Sequence, residues 1–331
     1  AAIAAVSTAG SAGAAMRVAT RSIVKRITDL AGGGRAILIA GPTASGKSAL
    51  ALALAEAADG AVVNADSMQV YRELEILSAR PDPEEIARAP HHLYGHVPMA
   101  EPYSVARWLA EVADLLAELE GAGRLPIVVG GTGLYFTALT EGLSEVPGIP
   151  EAVRAHWRAR GREEDAASLH AVLRDRDPVM AGRLRPSDAQ RIVRALEVLE
   201  ATGRSLADWQ AETPPPLLPA ASCRRVVLAP ERGRLRERIA RRFDVMLEQG
   251  ARAEAERVAA LRLDPALPAM KAIGLAPLIA HALGLVGLED ARARAIADSA
   301  RYAKRQETWF RNRFPDWERL DPDAAFAKSA G

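Results

Sequence analysis

The sequence predicts an α/β protein in which helices flank a parallel sheet, with a helical domain inserted into it. Short apolar runs alternate with helical patterns through the first part of the chain, and the alternation stops between two proline-rich stretches. Of the 331 residues, 49% are apolar and 26% are charged, so the chain is long enough and apolar enough to bury one large core or two smaller ones.

The elements follow one another as strand, loop and helix. The first strands are expected at 36–40, 61–65 and 125–129, and helices at 48–58 and 108–119. In a parallel sheet, ligands gather at the carboxyl ends of the strands. We therefore expect the three segments that follow these strands to converge on one crevice; they are residues 41–48, 66–69 and 130–132.

Composition suggests four further divisions of the chain. Residues 1–35 are predicted to be an N-terminal extension, 148–221 a helical insertion, and 321–331 a flexible tail, which leaves 36–147 and 222–320 as the α/β core with its C-terminal helices. Within the insertion, the run Ser187-Asp188-Ala189-Gln190 predicts a capping box that opens a helix ending near Gly203.

Residues 41–48 form a complete phosphate loop of the pattern GxxxxGK[ST], which makes the predicted core P-loop NTPase-like. Glycines let successive backbone N–H groups point at one anion, the lysine adds a positive charge, and the hydroxyl of Ser48 is a ligand for phosphate-bound Mg²⁺. The predicted diphosphate- or nucleotide-binding residues of this loop are Gly41, Pro42, Thr43, Ala44, Ser45, Gly46, Lys47 and Ser48.

Several classes of protein are disfavoured. The net charge of +1 gives no overall electrostatic signal for or against nucleic acid, and Cys223, the only cysteine, excludes an intramolecular disulfide framework and fits the cytoplasm. No stretch approaches the roughly 20 apolar residues of a membrane span.

The phosphate loop alone makes a small-molecule or nucleotide kinase the default interpretation. In such enzymes an Asp commonly ends another strand and holds Mg²⁺, yet the strand at 125–129 ends in Gly-Gly-Thr. Asp66 ends the strand that follows the loop helix. From the residues alone, Asp66 is either a carboxylate for a reacting partner or a metal ligand.

The order of short motifs resembles one family, the tRNA dimethylallyltransferases, also called tRNA isopentenyltransferases. The resemblance spans about residues 36–320 and rests on the phosphate loop, Asp66-Ser-Met-Gln-Val-Tyr71, Pro90-His-His-Leu93, Val129-Gly-Gly-Thr-Gly-Leu-Tyr135, Asp188-Ala-Gln-Arg191, Arg194-Ala-Leu-Glu197, Arg238-Ile-Ala-Arg-Arg-Phe243 and Lys304-Arg-Gln306. It implies transfer of a dimethylallyl group from dimethylallyl diphosphate to N6 of the adenosine at tRNA position 37, 3′ of the anticodon. Adenylate prenyltransferases are a related alternative.

The resemblance implies roles for five residues. Asp66 would accept the proton of the poorly nucleophilic adenine amine, while Lys47, Thr43 and Mg²⁺ on Ser48 would stabilise the departing diphosphate. On the predicted helix that contains Leu235, Arg242 falls about 20° from the apolar stripe, so its guanidinium needs an anionic partner. That partner is the diphosphate by resemblance, or a carboxylate such as Glu237 or Asp244.

The same resemblance implies contacts with the anticodon stem-loop of tRNA. The predicted tRNA-binding residues are Asp66, Ser67, Met68, Gln69, Thr132, Arg154, Gln190, Arg191, Ile192, Val193, Arg194, Met270, Lys271, Ala272, Ile273, Gly274 and Leu275. The last six depart from the family pattern, because Leu275-Ala276 stand where a tyrosine and a basic residue are common. We expect the protein to be a monomer, with no membrane association.

Overall fold

The computed structural model describes Val24, Ile27 and residues 34–323. Most of the predicted N-terminal extension and the end of the predicted tail therefore lie outside the described residues. Asp323, inside the predicted tail, is buried and accepts a hydrogen bond from Arg238. In this part of the chain no helix is long and apolar enough to cross a bilayer.

Six parallel strands form one sheet within the described residues. In chain order they are β1 (Ala36–Ala40), β2 (Gly60–Asn64), β3 (His91–His92), β4 (Leu125–Gly130), β5 (Cys223–Leu228) and β6 (Glu318–Leu320). Their spatial order is β3-β2-β4-β1-β5-β6, with Leu38 opposite Val128 and Val63 opposite Val128 on the other side. The central position of β4 brings the ends of β1, β4 and β2 side by side, so the predicted convergence of three strand ends is confirmed.

Helices connect the strands and cover the sheet. They are α1 (Lys47–Ala57), α2 (Pro83–Arg88), α3 (Val105–Gly121), α4 (Gly133–Glu141), α5 (Glu151–Glu163), α6 (Ala166–Arg176), α7 (Pro178–Arg183), α8 (Ala189–Thr202), α9 (Leu206–Ala211), α10 (Arg232–Glu248), α11 (Ala251–Ala260), α12 (Leu275–Ala282) and α13 (Leu288–Arg313). The parallel sheet flanked by helices that the sequence predicts is confirmed.

The central strands of the sheet are apolar on both faces, so helices can pack against either side of them. All five residues of β1 are buried, as are all five of β2, which is typical of parallel strands covered on both sides. On α3, Trp108 is fully buried, stacks on Tyr135 at 4.3 Å between ring centroids and donates its indole N–H to the carbonyl of Asn64 at 2.8 Å. This contact holds the last residue of β2 in place.

The described chain divides into two compact units. One runs up to Thr140 and resumes at Leu218; the other is Glu141–Leu217, close to the insertion predicted at 148–221. In the first unit, the N–H of Leu218 donates to the carbonyl of Leu139 at 3.0 Å. The second unit is helical, and helices α5 to α9 pack around the buried side chains of Trp157, Leu169 and Ile192.

The start of α8 differs from the prediction. The N-cap residue is Asp188, not Ser187, and its carboxylate accepts a hydrogen bond from the backbone N–H of Arg191. Both residues are good caps, and the turn at 185–188 places Asp188 at the helix start. The predicted stop at Gly203 is confirmed: this glycine caps α8 with φ 67°, a left-handed conformation.

Candidate functional site

The phosphate loop lies between β1 and α1, as the motif predicts. Ala44 (φ 61°) and Gly46 (φ 89°) are left-handed, so the chain curls before α1 begins at Lys47. At Gly41, a Cβ would come within 2.8 Å of Ser45 Oγ and 3.2 Å of Leu228 Cβ on the neighbouring strand. Only glycine therefore allows the loop to start this close to β5.

Lys47 is a buried cation at the first turn of α1. Its side chain is 9% exposed, and its Nζ lies 3.4 Å from the carbonyl of Pro42. No carboxylate among residues 34–323 forms an ion pair with it, and burial lowers the pKa of its ammonium to about 8, although the charge of Asp66 opposes this shift. A buried charge without a counterion is costly, so this position favours an anionic ligand.

The donor set around the loop fits a Mg²⁺ ion that arrives with a polyphosphate. Ser48 is exposed beside Lys47 and offers one hydroxyl oxygen. The described residues contain no group of three His, Cys, Asp or Glu side chains placed to hold a metal by themselves. Mg²⁺ commonly keeps several waters and takes its other ligands from substrate phosphates, which is compatible with a single hydroxyl here.

Asp66 is held rigidly at the end of β2. The side chain of the fully buried Asn64 accepts from the N–H of Asp66 at 2.8 Å and donates to its carbonyl at 3.0 Å. The carboxylate oxygen Oδ1 accepts from the N–H of Met68 at 3.0 Å. Because Oδ2 accepts no hydrogen bond from the described residues, one carboxylate oxygen is available to a ligand.

The end of β4 packs directly against this segment. A Cβ at Gly130 would overlap the carbonyl of Ala65, so glycine is required for the two loops to touch. The hydroxyl of Thr132 accepts from the N–H of Ser67 at 2.9 Å, and its own N–H donates to Ala65 at 3.2 Å. Asp66, Ser67 and Thr132, three of the residues predicted to bind tRNA, thus lie together.

Arg242 projects from α10 towards the phosphate loop. Its Nη1 lies 3.5 Å from the hydroxyl of Thr43, and burial lowers the pKa of its guanidinium, against the opposing charge of Asp66. Asp244 pairs instead with Arg292 through two hydrogen bonds, and Glu237 is exposed. Within residues 34–323 no carboxylate forms an ion pair with Arg242, so a protein carboxylate is not its partner there.

Two cavities adjoin at this arginine. The larger, of about 740 Å³, contains the phosphate loop from Ala44 to Ser48, and the smaller, of about 340 Å³, contains Asp66. Ala44, Arg242 and Met246 line both. The apolar lining of the smaller cavity includes Leu77, Ile239, Phe243 and Ile273. The arrangement can hold a polyphosphate on one side and an apolar or planar group near a carboxylate on the other.

Comparison with known proteins assigns this arrangement to a family. The IPP transferase family matches residues 69–313, and a second family, isopentenyl transferase, matches residues 34–94. The chain belongs to the IPP transferase family. Its relatives include the tRNA dimethylallyltransferases of Chelativorans sp. (56% identical, over 86% of this chain and 98% of the relative) and of Azorhizobium caulinodans (55% identical, over 89% and 95%).

Solved structures agree with this membership. A tRNA isopentenylpyrophosphate transferase from Bacillus halodurans is 33% identical, with a TM-score of 0.63 over 89% of this chain and 94% of that one. A eukaryotic dimethylallyltransferase crystallised while acting on tRNA is 27% identical, with a TM-score of 0.75 over 89% and 77%. The family named from the sequence motifs is therefore confirmed, and so is its enzyme class, prenyl transfer.

The structure places the other residues that the family resemblance suggested for tRNA binding in different environments. Lys271, Ala272 and Ile273 line the smaller cavity, whereas Leu275 is fully buried at the start of α12. The side-chain amide of Gln69 donates to the carbonyls of Ser78 and Ala79, at 3.0 and 2.7 Å. In this structure Gln69 therefore stabilises the backbone at residues 78–79.

In the helical unit, the suggested tRNA-binding residues surround the start of α8 and the start of α5. Gln190 and Arg191 are exposed, and Arg191 pairs with Asp188 at 3.2 Å. Arg194 lies 3.4 Å from the buried carboxylate of Glu197, and Ile192 is in the core of the unit. Gln190, Arg191 and the 43% exposed side chain of Arg194 are therefore accessible at this helix end, whereas Ile192 is not.

Three residues that position the site carry no role in the sequence analysis. Asn64 is a polar residue at the end of an apolar strand, a signal that could have identified it. Glu254, on α11, is buried and accepts hydrogen bonds from the N–H groups of Glu75, Ile76 and Leu77 at 2.8–2.9 Å. Gln306 belongs to the motif Lys304-Arg-Gln306, but it contacts residues that are far away in the sequence. Only the fold reveals these partners.

Proposed function

We propose that the chain transfers the dimethylallyl group of dimethylallyl diphosphate to N6 of the adenosine 3′ of the anticodon, position 37 of tRNA, and releases diphosphate. The observation that carries the proposal is the junction of the two cavities. There, a buried lysine that forms no ion pair with the described residues and an arginine face the phosphate side, and a carboxylate oxygen that accepts no hydrogen bond from residues 34–323 faces the other.

The phosphate loop and its neighbours bind the leaving group in this proposal. Backbone N–H groups from Ala44 to Ser48 and the positive end of α1 bind the diphosphate. The diphosphate also supplies a counterion for the buried ammonium of Lys47. Mg²⁺ held by the Ser48 hydroxyl and the phosphates would neutralise part of the developing charge. Thr43 and Arg242 lie 3.5 Å apart where the two cavities adjoin, and there they would face the oxygen that joins the diphosphate to the allylic carbon.

Asp66 acts on the acceptor. As the bond between the adenine N6 and the allylic carbon forms, the bond from that carbon to the diphosphate oxygen breaks, and the N6 proton passes to Oδ2 of Asp66. The hydrogen bonds that Asn64 and Met68 make to Asp66 hold this carboxylate in one place. The base reaches Asp66 only if it leaves its stack, which enzymes acting on exocyclic atoms commonly achieve by flipping the nucleotide.

We further propose that tRNA contacts the residues around the smaller cavity and, in the helical unit, Arg154, Gln190, Arg191 and Arg194. Ile192 is fully buried in the core of that unit and makes no such contact. Phosphate contacts from arginines position an RNA, while contacts around the flipped base select it. A monomeric state and a cytoplasmic location stay predictions, and sedimentation of the purified chain would test the first.

The test is transfer of labelled dimethylallyl diphosphate to unmodified tRNA in the presence of Mg²⁺, followed by nucleoside analysis. We expect the label on N6 of the adenosine next to the anticodon. Asp66→Asn should lower transfer by at least about 100-fold while tRNA binding persists, since general-base catalysis contributes about 10²–10⁴-fold. Asp59→Asn, an exposed aspartate on the same unit, is the matched control.

Each alternative has its own outcome in this assay. Label on free AMP without tRNA would favour an adenylate prenyltransferase. Steady ATP hydrolysis without prenyl transfer would favour a kinase, with Asp66 as a metal ligand. Near-parent transfer by Asp66→Asn would remove Asp66 as the base.

A further inference from the structure

Gln306 links two separate loops of the site through one side chain. It lies on α13, is only 5% exposed, and both ends of its amide are used. The Oε1 atom accepts from the backbone N–H of Thr43 at 2.9 Å, and the Nε2 atom donates to the carbonyl of Gly131 at 2.8 Å. Both partners are backbone groups, so the bridge fixes the loops themselves.

The chemistry of the bridge is specific to an amide. One partner is a donor and the other an acceptor, and a neutral side chain of this length must both accept and donate to satisfy them. The local structure is shaped around it, because a Cβ at Gly131 would overlap the Gln306 amide and lie 3.3 Å from Asp66 Oδ2. Glycine at 131 therefore makes room for the glutamine beside the carboxylate.

The two loops that Gln306 joins serve opposite sides of the junction. Thr43 belongs to the phosphate loop, and its hydroxyl lies next to Arg242. Gly131 precedes Thr132, which holds Ser67, the neighbour of Asp66. Because the N–H of Thr43 is bonded to Gln306, this hydrogen bond fixes the backbone that carries the Thr43 side chain.

We propose that Gln306 is a positioning residue that keeps the diphosphate-binding loop and the acceptor-binding loop at the separation that transfer requires. This role rests on the proposed function. It places a determinant of the donor-to-acceptor distance on α13, outside both loops, and it acts through Thr43 and Gly131 and not by touching either substrate.

The variant Gln306→Glu tests the bridge through its pH profile. An ionised glutamate still accepts from Thr43 but cannot donate to Gly131, whereas the protonated form restores both hydrogen bonds. Burial beside the carboxylate of Asp66 disfavours the ionised form of the introduced glutamate and raises its pKa above the usual range of that side chain. We therefore expect the ratio of variant to parent kcat to fall by about tenfold or more from pH 6 to pH 8.5, the size of effect that one lost buried hydrogen bond produces. The KM values for both substrates should change less.

Two further variants separate positioning from general damage. Gln306→Leu removes both hydrogen bonds, so its kcat ratio should be low and independent of pH. Thr308→Val, on the same helix, removes only a hydrogen bond to the carbonyl of Lys304 and should behave as the parent. If Gln306→Glu does not fold, Gly131→Ala displaces the amide from the other end and should lower kcat at every pH.

The outcomes are distinguishable. A parent chain that transfers, with Gln306→Glu and Gln306→Leu equal to it at every pH, overturns the positioning role and leaves the proposed function intact. Equal loss by Gln306→Glu and Gln306→Leu without any pH dependence also overturns it. A parent chain that transfers no prenyl group overturns the proposed function and this role with it.

Discussion

Diphosphate affinity should fall steeply above pH 8, because Lys47 loses its proton there in the free protein. Burial lowers the pKa of this lysine to about 8, and no carboxylate among the described residues pairs with its Nζ. A bound diphosphate supplies the missing anion and raises the pKa again. Binding therefore takes up a proton at pH values between the pKa of Lys47 in the free protein and its higher pKa in the complex.

The magnitude follows from the fraction of charged lysine. Near pH 7 about 90% of the free protein carries the charge, and near pH 9 only about 10%, so the Kd should rise about tenfold, or about 1.4 kcal/mol. Lys47→Arg keeps a positive charge throughout this range because the guanidinium does not titrate there. Changes in the ionisation of diphosphate itself affect both proteins equally, so the ratio of the two Kd values isolates the lysine.

Isothermal titration calorimetry with inorganic diphosphate and Mg²⁺ gives both quantities. The Kd ratio of parent to Lys47→Arg should rise about tenfold between pH 7 and pH 9, and titrations in two buffers of different ionisation enthalpy should reveal uptake of close to one proton near pH 9. Parallel curves for the two proteins, with no proton uptake, would refute the reasoning.

Three other predictions follow from burial and charge. Lys47→Met should raise the unfolding free energy of the ligand-free protein at pH 7, because the pKa of the lysine is lower in the folded than in the unfolded protein and folding therefore disfavours its charged form. This gain in unfolding free energy should shrink as the pH rises from about 8 to 10.5, which thermal melts at several pH values would show. Glu254→Gln should lower the unfolding free energy by about 2 kcal/mol, because an amide cannot accept all three hydrogen bonds from the backbone N–H groups of residues 75–77. The control Glu256→Gln, at an exposed position on the same helix, should change the unfolding free energy by less than about 0.5 kcal/mol. Equal urea midpoints for the two variants would contradict this prediction. Arg191→Ala should weaken tRNA binding and reduce the salt slope by about 1, unlike Arg174→Ala, and an unchanged slope would remove Arg191 from the interface.

The parts of the site that depend on local sequence could be predicted. The phosphate loop is encoded in eight consecutive residues, and Asp66 is recognisable because it directly follows an apolar strand. The convergence of both with Thr132 follows from the rule for parallel sheets. These features need no knowledge of distant contacts.

The contacts that hold the site together could not be read from spacing. Glu254 caps a loop that lies 177–179 residues earlier, and Gln306 reaches a loop 263 residues away. Likewise, Glu237 and Asp244 are equally plausible partners for Arg242 until the fold pairs Asp244 with Arg292. The capping-box pattern places the N-cap of α8 at Ser187, one residue before the observed Asp188, because both side chains can cap a helix and the preceding turn decides between them.

The hydrogen bond between Leu218 and Leu139 has a consequence for how this chain tolerates change. It brings together the two points at which the sheet-containing unit gives way to residues 141–217. In the chain topology, residues 141–217 thus form one long loop within the crossover from β4 to β5. Leu139 and Leu218, which lie at the two ends of this loop, are hydrogen-bonded to each other. Because the entropy of closing a loop grows only logarithmically with its length, this segment can lengthen, shorten or be exchanged at little cost to the sheet.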